Sequence, residues 1–345
     1  MKAKDFLVIL LITICIGAIM FIGKSVLIPF VLAILIWYVV KDIRDKIAKT
    51  KLGKKAPTWL INVITSAFVF GSLFLITQIL KVNITNMMDE LPRYQENFNA
   101  LIPQINDYFG INIDSLVKNF EFSGIIGTVL GSLSSILSNA FMIILYVIFI
   151  LLEESSVKQR LKNMYSDKKQ LDSALDLIGD INKSISSYIS LKTLVSILTA
   201  TLSYVGLRLL HVDFPVLWAI VIFVLNYIPT IGSLVATLFP ALLAWLQFND
   251  PYQALYVLIA IGAIQIVVGN FLEPKIMGNS LNISPLVVIL SLSVFGSLWG
   301  ITGMILCVPF TVILIIIFSH FDSTRGIAVL LSDTGILAKK KEVKG

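Results

Sequence analysis

Long apolar runs follow one another along this chain and are separated by short, lysine-rich polar stretches. Crossing a hydrocarbon layer of about 30 Å takes roughly 20 helical residues, which is close to the length of each run. The pattern therefore predicts six membrane spans, of which the first two are slightly short and are expected to tilt. The predicted spans are residues 6–22, 26–40, 59–80, 133–152, 189–210 and 255–272.

Glycine and proline interrupt two further apolar regions in the last third of the chain. These regions read NYIPTIGSLVATLFP from Asn226 and FGSLWGITGMILCVP from Phe295. Their first arms, residues 214–228 and 285–298, are too short as helices to cross the hydrocarbon layer. We therefore predict two re-entrant helical hairpins, each of which returns to the side that it left.

A span followed by a hairpin occurs twice, and the two hairpins are expected to enter from opposite sides. The predicted fold class is an all-α polytopic membrane protein, with about six full spans and two Gly/Pro-broken re-entrant hairpins that form an inverted repeat. The predicted parts are three N-terminal spans as a scaffold (1–80), an exterior amphipathic helical insert (81–132), a fourth span (133–152), a cytoplasmic helical insert (153–188), a transport core (189–318) and a basic cytoplasmic tail (319–345).

Within the exterior insert, apolar residues recur at alternating spacings of three and four, the seam of a coiled coil. Pro103 interrupts this seam. The exterior insert is expected either to contact a neighbouring subunit or to lie flat on the membrane as an amphipathic helix. The residues of the seam are Leu91, Tyr94, Phe98, Leu101, Ile105 and Tyr108.

Composition supports an integral membrane protein whose partner is the lipid bilayer. Apolar residues make up 57% of the chain and charged residues 14%, against about 25% charged in soluble domains. The net charge of +6 arises from basic residues beside apolar spans, which argues against a nucleic-acid partner. Of the 27 Lys and Arg residues, 20 lie in the amino terminus, the loops 41–57 and 153–187, and the tail. The positive-inside rule then places both termini in the cytoplasm of a multi-pass plasma (inner) membrane protein.

The tips of the two hairpins, near residues 229–233 and 297–303, are expected to meet near the membrane midplane. Irregular backbone at that depth must face protein or a water-filled cavity, so the tips are expected to line the permeation path. The alternative is that their small residues only allow tight helix packing. The candidate path residues are Asn226, Pro229, Thr230, Gly232, Ser233, Gln265, Asn270, Glu273, Pro274, Ser297, Gly300, Thr302 and Gly303.

Glu273 is the carboxylate in this apolar core. It follows Asn270 at i+3, so both are expected on one helix face, and Pro274 is expected to end or kink that helix. A charge within a bilayer is costly, which leads to the hypothesis that Glu273 carries a coupling proton or cation. The alternative is an interfacial Glu273 paired with Lys275. Lys192 is expected to extend towards the cytoplasm.

Motifs of enzymes and metal sites are missing from the sequence. GKS at residues 23–25 lacks the Walker spacing, and neither H-E-x-x-H nor G-x-S-x-G occurs. With two cysteines in apolar segments and two histidines, we expect no metal site and no cofactor. A transporter is therefore favoured over an enzyme. Two alternatives stay open: an intramembrane enzyme with Glu273 as acid or base, and an uncoupled pore.

Three stretches of the last third carry a resemblance to a known family. NFLEPKIMG from Asn270, PLVVILSL from Pro285 and GSLWGITGMILCVP from Gly296 resemble the carboxy-terminal signature of the autoinducer-2 exporter family. NYIPTIG from Asn226 is similar to that family's other marker. The chain departs from it before Trp299, where a further tryptophan is common in the family.

The resemblance implies a homo-oligomeric transporter that exports small molecules, and some members of the family are described as sodium/proton antiporters. We therefore expect a secondary transporter that exports a small solute or signal molecule. A Na⁺(Li⁺)/H⁺ antiporter of the same family is the alternative, so the expected substrate is a small molecule or a cation. The hairpins are expected to move against the amino-terminal scaffold.

Overall fold

The computed structural model of this chain describes residues 3–50, 53–109, 138–277 and 282–335, with isolated positions between 124 and 134. Every regular element in this part of the chain is helical, so the all-α fold class is confirmed. A 3₁₀ turn, Gly53–Lys55, precedes α3, and a π-helical run, Ile266–Leu272, joins α8 to α9. The α-helices are α1 Ala3–Ile22, α2 Lys24–Lys49, α3 Thr58–Phe109, α4 Ala140–Met164, α5 Lys168–Leu209, α6 Pro215–Leu225, α7 Ile231–Phe248, α8 Pro251–Gln265, α9 Glu273–Met277, α10 Pro285–His320 and α11 Arg325–Leu331.

Six helices within the described residues are long and apolar enough to cross a membrane: Lys24–Lys49, Leu60–Pro103, Lys168–Leu209, Ile231–Phe248, Pro251–Met277 and Pro285–His320. Four of them contain predicted spans, whereas Ile231–Phe248 and Pro285–His320 belong to the predicted hairpins. The predicted span at residues 6–22 lies within α1, and that at residues 133–152 overlaps α4 from Ala140 onward, whereas α4 continues to Met164. Neither helix is among the six. The depth of the hairpins in a membrane, and with it their re-entrant character, stays a prediction.

The chain forms two compact units. Unit 1 comprises Met1–Ser66, Asn139–Leu191 and Met277–Gly345, and unit 2 comprises Ala67–Ser138 and Lys192–Ile276. Unit 1 therefore contains α10, and unit 2 contains α6 to α9.

Helix α3 continues well beyond the predicted end of the third span. It runs from Thr58 to Phe109, so the expected boundary at residue 80 falls inside one helix. The seam residues Leu91, Tyr94 and Leu101 are buried. The Tyr94 hydroxyl donates to Asp213 Oδ2 at 2.7 Å. This part of the seam packs within unit 2, whereas Ile105 and Tyr108 have side chains outside the described set. Contact of the insert with a neighbouring subunit or with the membrane surface stays a prediction.

The first hairpin consists of α6, a turn at residues 226–230, and α7. A β-carbon at Gly232 would lie 1.9 Å from the carbonyl oxygen of Leu225, so only glycine allows the second arm to pass so close. Thr230 has φ 59° and ψ −58°, an unusual conformation for a β-branched residue. The turn is thus sharp and strained, as found at functional sites.

The second hairpin is formed by α10 alone. Gly300 has φ 60° and ψ −140°, which is not helical, and divides α10 into two arms. The Thr311 hydroxyl donates to Ser291 Oγ at 2.8 Å, although in a straight helix these residues would lie about 30 Å apart. A β-carbon at Gly303 would lie 1.8 Å from the carbonyl oxygen of Phe295. The chain therefore reverses at Gly300, and both hairpins use a glycine in the second arm for close packing.

A polar link joins α2 to α4 in unit 1. The Arg44 guanidinium donates to both carboxylate oxygens of Glu154, at 2.9 and 2.8 Å, and Trp37 Nε1 donates at 3.2 Å. Partial burial raises the pKa of Glu154, but hydrogen bonds from Arg44 and Trp37 and the charges of Arg44 and Lys41 outweigh it and hold the pKa below its usual range. The Glu154 carboxylate is therefore stabilised in its charged form.

Candidate transport site

Glu273 and Lys192 form an ion pair inside unit 2. Lys192 Nζ donates to Glu273 Oε1, and the two side chains are only 10% and 21% exposed. The partner of Glu273 is therefore Lys192, whereas Lys275, the alternative local partner, is exposed. The direction in which Lys192 extends relative to the membrane stays a prediction. A buried charge is tolerated where an opposite charge compensates it, and each residue supplies that charge to the other.

The backbone around Glu273 is locally unwound. Pro251–Met277 is one continuous helix, but residues Ile266–Leu272 within it form a π-helix. Pro274 gives this run a physical cause, because its ring clashes with the carbonyl four residues earlier, at Asn270, and it lacks an N–H donor. Such π-helical segments are frequent at functional sites.

The wider winding also separates two predicted site residues. Asn270 is exposed, whereas Glu273 is half-buried. The expectation of one shared face depends on 3.6 residues per turn and does not hold in a π-helical run, whose hydrogen bonds close from i to i+5. Pro274 is exposed beside Glu273 and does not end the helix, since α9 continues to Met277.

Hydroxyl groups follow Lys192 along one buried face of α5. Ser196, Thr199 and Ser203, at spacings of four, three and four from Lys192, are at most 1% exposed. We call these three residues the hydroxyl face. Residues at this spacing lie on one side of a helix, so the face continues directly from the ion pair.

The turn of the first hairpin contacts this part of α5. Asn226 is buried, and its Nδ2 donates to Thr199 Oγ1 at 3.1 Å. The hydroxyls of Thr193 and Tyr227 are 2.7 Å apart and share a hydrogen bond. At the tip, Ser233 Oγ donates to the carbonyl oxygen of Thr230 at 3.0 Å. Asn226 thus joins the polar interior, while Pro229, Thr230, Gly232 and Ser233 shape the turn beside it.

Gln265 lies on α8, whose side chains contact α5. A β-carbon at Gly206 of α5 would lie 3.8 Å from Ile264 Cδ1, and at the other end of the contact Lys192 pairs with Glu273. The two helices therefore run antiparallel, and Gln265 lies on α8 between these two points of contact. Gln265 is 7% exposed, and its Nε2 has no hydrogen-bond partner among the described residues.

The other predicted site residues lie in the second hairpin, in unit 1. Ser297 and Gly300 are exposed, Thr302 is half-buried, and Gly303 is buried against Phe295. The indole Nε1 of Trp299 donates to the carbonyl oxygen of Met20 at 2.8 Å, which fixes this tip to α1. A meeting of the two hairpin tips stays a prediction.

The sequence reading missed five polar residues of this interior: Thr193, Ser196, Thr199, Ser203 and Tyr227. A signal for three of them was present, because Ser196, Thr199 and Ser203 continue from Lys192 at helical spacing within an apolar span. The predicted site was based on Gly, Pro and charged residues, and these three neutral hydroxyl residues were therefore not included. Thr193 and Tyr227 have no comparable signal, since each has its partner on another element.

Long apolar helices, two sharp helical hairpins and a buried polar interior define a polytopic membrane protein of the transporter class. Comparison with protein families agrees: residues 7–323 match the AI-2E family transporter model. The chain therefore belongs to the AI-2E transporter family, which also makes it a transport protein rather than an enzyme.

Similar proteins occur in several bacteria. The AI-2 transport protein TqsA of Escherichia coli is 32% identical over 320 residues, which cover 90% of both chains. A putative transport protein of Borreliella burgdorferi is 31% identical over 339 residues, or 96% of this chain and 91% of the relative. One from Haemophilus influenzae is 32% identical over 325 residues, which cover 90% and 91%.

Proposed function

We propose that this protein exports a small solute or signal molecule across the bacterial inner membrane, with both termini in the cytoplasm. The observation that carries the proposal is the polar interior of unit 2, where the Lys192–Glu273 pair, the hydroxyl face and Asn226 lie among apolar helices. Polar groups at such a place are expensive and mark substrate or ion pathways. The name of TqsA suggests AI-2 as the first solute to test.

The test is efflux of autoinducer-2 from proteoliposomes that contain the full chain. Glu273→Gln and Lys192→Met each leave one buried charge without its partner, so we expect each to lower the efflux rate at least about tenfold. Glu96→Gln removes a charge from an exposed position on α3 and serves as the matched control. Absence of efflux from the native chain would contradict autoinducer-2 as substrate.

The double variant Lys192→Met/Glu273→Gln separates transport from stability. It removes both charges, so no unpaired charge is left and the fold is expected to recover relative to either single variant. If the pair takes part in transport, efflux stays low although the protein is folded, as measured by its thermal unfolding temperature in detergent. Full recovery of efflux would make the pair purely structural.

A second candidate function, Na⁺(Li⁺)/H⁺ antiport, is favoured by the carboxylate of Glu273, which lies in an apolar helix and pairs with Lys192. It predicts that pulses of Na⁺ or Li⁺, but not K⁺, change the internal pH of proteoliposomes loaded with a pH-sensitive dye. Glu273→Gln is expected to abolish that change. A native chain that exports autoinducer-2 without any response to these cations would exclude antiport as its coupling.

Two further parts of the proposal concern assembly and motion. We propose a homo-oligomer, as the family resemblance implies, and movement of the hairpins relative to the first three helices. Native mass spectrometry of the protein released from nanodiscs tests the assembly, and a monomeric mass would contradict it. Distance measurements between spin labels at positions 49 and 234, which are both exposed, test the motion. A distance that is unchanged by saturating solute would argue against it.

A further inference from the structure

Five buried side-chain polar atoms of unit 2 have no hydrogen-bond partner within the described chain: Ser196 Oγ, Ser203 Oγ, Gln265 Nε2 and the indole Nε1 of Trp218 and of Trp245. Two of them, Ser196 Oγ and Ser203 Oγ, belong to the hydroxyl face. Leaving a buried donor or acceptor without a partner costs free energy, and protein interiors usually avoid it. Ser196 and Ser203 lie on the buried face of α5, and Gln265 lies on α8 one turn after Ile261, whose side chain faces position 206 of α5.

Close helix packing explains only part of this arrangement. Small residues such as serine and glycine allow membrane helices to approach closely, and Gly206 does so against Ile261 and Ile264. Packing alone does not explain why a glutamine occupies position 265. Leucine has a similar size and would fill the same space without burying an unpaired amide. Gln265 is more than nine-tenths buried and lies on α8 between the contact at Gly206 and the Lys192–Glu273 pair.

The charges of this interior indicate which class of ligand would fit. Lys192 and Glu273 compensate each other, so the pair adds no net charge. The other polar groups are hydroxyls and side-chain amides. A hydroxyl donates and accepts hydrogen bonds through one oxygen, whereas an amide donates through its nitrogen and accepts through its oxygen. A cation or an anion would find no uncompensated opposite charge here, whereas an uncharged molecule with donors and acceptors would find partners.

We propose that the hydroxyl face and Gln265 form a binding site for a small, uncharged solute that carries both hydrogen-bond donors and acceptors. The Lys192–Glu273 pair borders this site and does not bind the solute. The proposal rests on the proposed function, because it locates the solute in the exporter, but its first test measures access to the site without measuring transport.

The test uses single cysteines in the full chain, reconstituted in proteoliposomes. Cys15→Ser and Cys307→Ala remove the native thiols. Ser196→Cys and Ser203→Cys then place a thiol on the hydroxyl face, and Val195→Cys, equally buried on the adjacent side of α5, is the control. Because thiols react as thiolates and apolar surroundings suppress ionisation, we expect uncharged N-ethylmaleimide to label positions 196 and 203 about tenfold faster than 195.

Equal, slow labelling at all three positions would overturn the proposal, since the face would then be packed without room for a ligand. Fast labelling at 196 and 203 together with absent efflux would leave the site in place and contradict the proposed function instead. The two failures are therefore distinguishable.

A second measurement tests the class of ligand. Autoinducer-2 is expected to slow labelling at positions 196 and 203, and Na⁺ or Li⁺ at the same concentration to leave it unchanged. Gln265→Leu removes one hydrogen-bonding group and is expected to raise the autoinducer-2 concentration for half-protection roughly 2- to 10-fold. Protection by the cations, or no protection by autoinducer-2, would overturn the assignment of an uncharged solute.

Discussion

Two glycines, one in each hairpin, approach the preceding arm so closely that neither has room for a β-carbon. Gly232 lies against the carbonyl of Leu225, and Gly303 against the carbonyl of Phe295. In both cases the obstacle is backbone, which cannot rotate aside as a flexible side chain does. Glycine is required at these two positions for steric reasons. At Gly300 the requirement is conformational, because the φ of this residue is positive.

Alanine at either close-packed glycine is therefore expected to open its hairpin. We predict that Gly232→Ala and Gly303→Ala each lower the free energy of unfolding by about 1–3 kcal/mol or more, as overpacking does. Thermal unfolding in detergent measures the effect. Gly71→Ala is the control, because a β-carbon there meets nothing within 4 Å, and in a helix it is expected to stabilise by roughly 0.5–1 kcal/mol. A neutral Gly303→Ala would contradict the described turn.

At the scale of elements, long helices are fixed at a few points by polar links between distant segments. Arg44 and Glu154 join α2 to α4, and Tyr38 Oη donates to Asn182 Oδ1 at 2.7 Å, which joins α2 to α5. Contacts between apolar side chains are not directional, so they restrict the relative axial position of two packed helices only weakly. Directional hydrogen bonds fix that position.

Loss of the Glu154 carboxylate is expected to loosen the contact between α2 and α4. We predict that Glu154→Gln lowers the free energy of unfolding by about 1–3 kcal/mol at pH 7, since it weakens hydrogen bonds to a charged group. Because the folded pKa of Glu154 is lowered, its contribution is present above the unfolded value of about 4.3 and is lost as pH falls through the folded pKa. The difference from the native chain should therefore shrink in acid.

The control for that prediction is Glu153→Gln on the same helix. Glu153 is 53% exposed and pairs with Arg160, which is also exposed, so the change is expected to leave the thermal unfolding temperature almost unchanged. Equal effects of the two variants would show that Glu154 has no special role in joining the helices.

Sequence patterns located the helices and the turns well, because each has a local cause. Apolar runs produced the long helices, and the Gly/Pro interruptions coincide with chain reversals near Thr230 and at Gly300. The Lys192–Glu273 pair was beyond reach, since its members are 81 residues apart and Lys275 offered a plausible local partner. The length of α3 was also missed, because its polar residues after Leu80 suggested a separate insert, although they continue one amphipathic helix.

For the whole molecule, the distribution of basic residues makes a prediction about orientation. With the native cysteines replaced, Lys49→Cys is expected to react with a membrane-impermeant maleimide only after intact cells are permeabilised. Glu96→Cys is expected to react from outside without permeabilisation, since it lies beyond the predicted third span. Both positions are exposed, so accessibility depends on the side of the membrane. The reverse pattern would contradict cytoplasmic termini.

The π-helical run Ile266–Leu272 has a consequence for how the position of Glu273 is determined. Each residue of an α-helix advances the direction of its side chain by about 100°. Each residue of the π-helical run adds a smaller rotation about the helix axis. The direction of the Glu273 side chain therefore depends on the number of residues in the run. Deleting one residue from the run would turn the carboxylate away from Lys192 while leaving every contact of α8 before the run in place. Substitutions at Glu273 do not change the rotation of the side chain about the helix axis relative to α8. Deletion or insertion of a residue in the run does change it and therefore tests its importance.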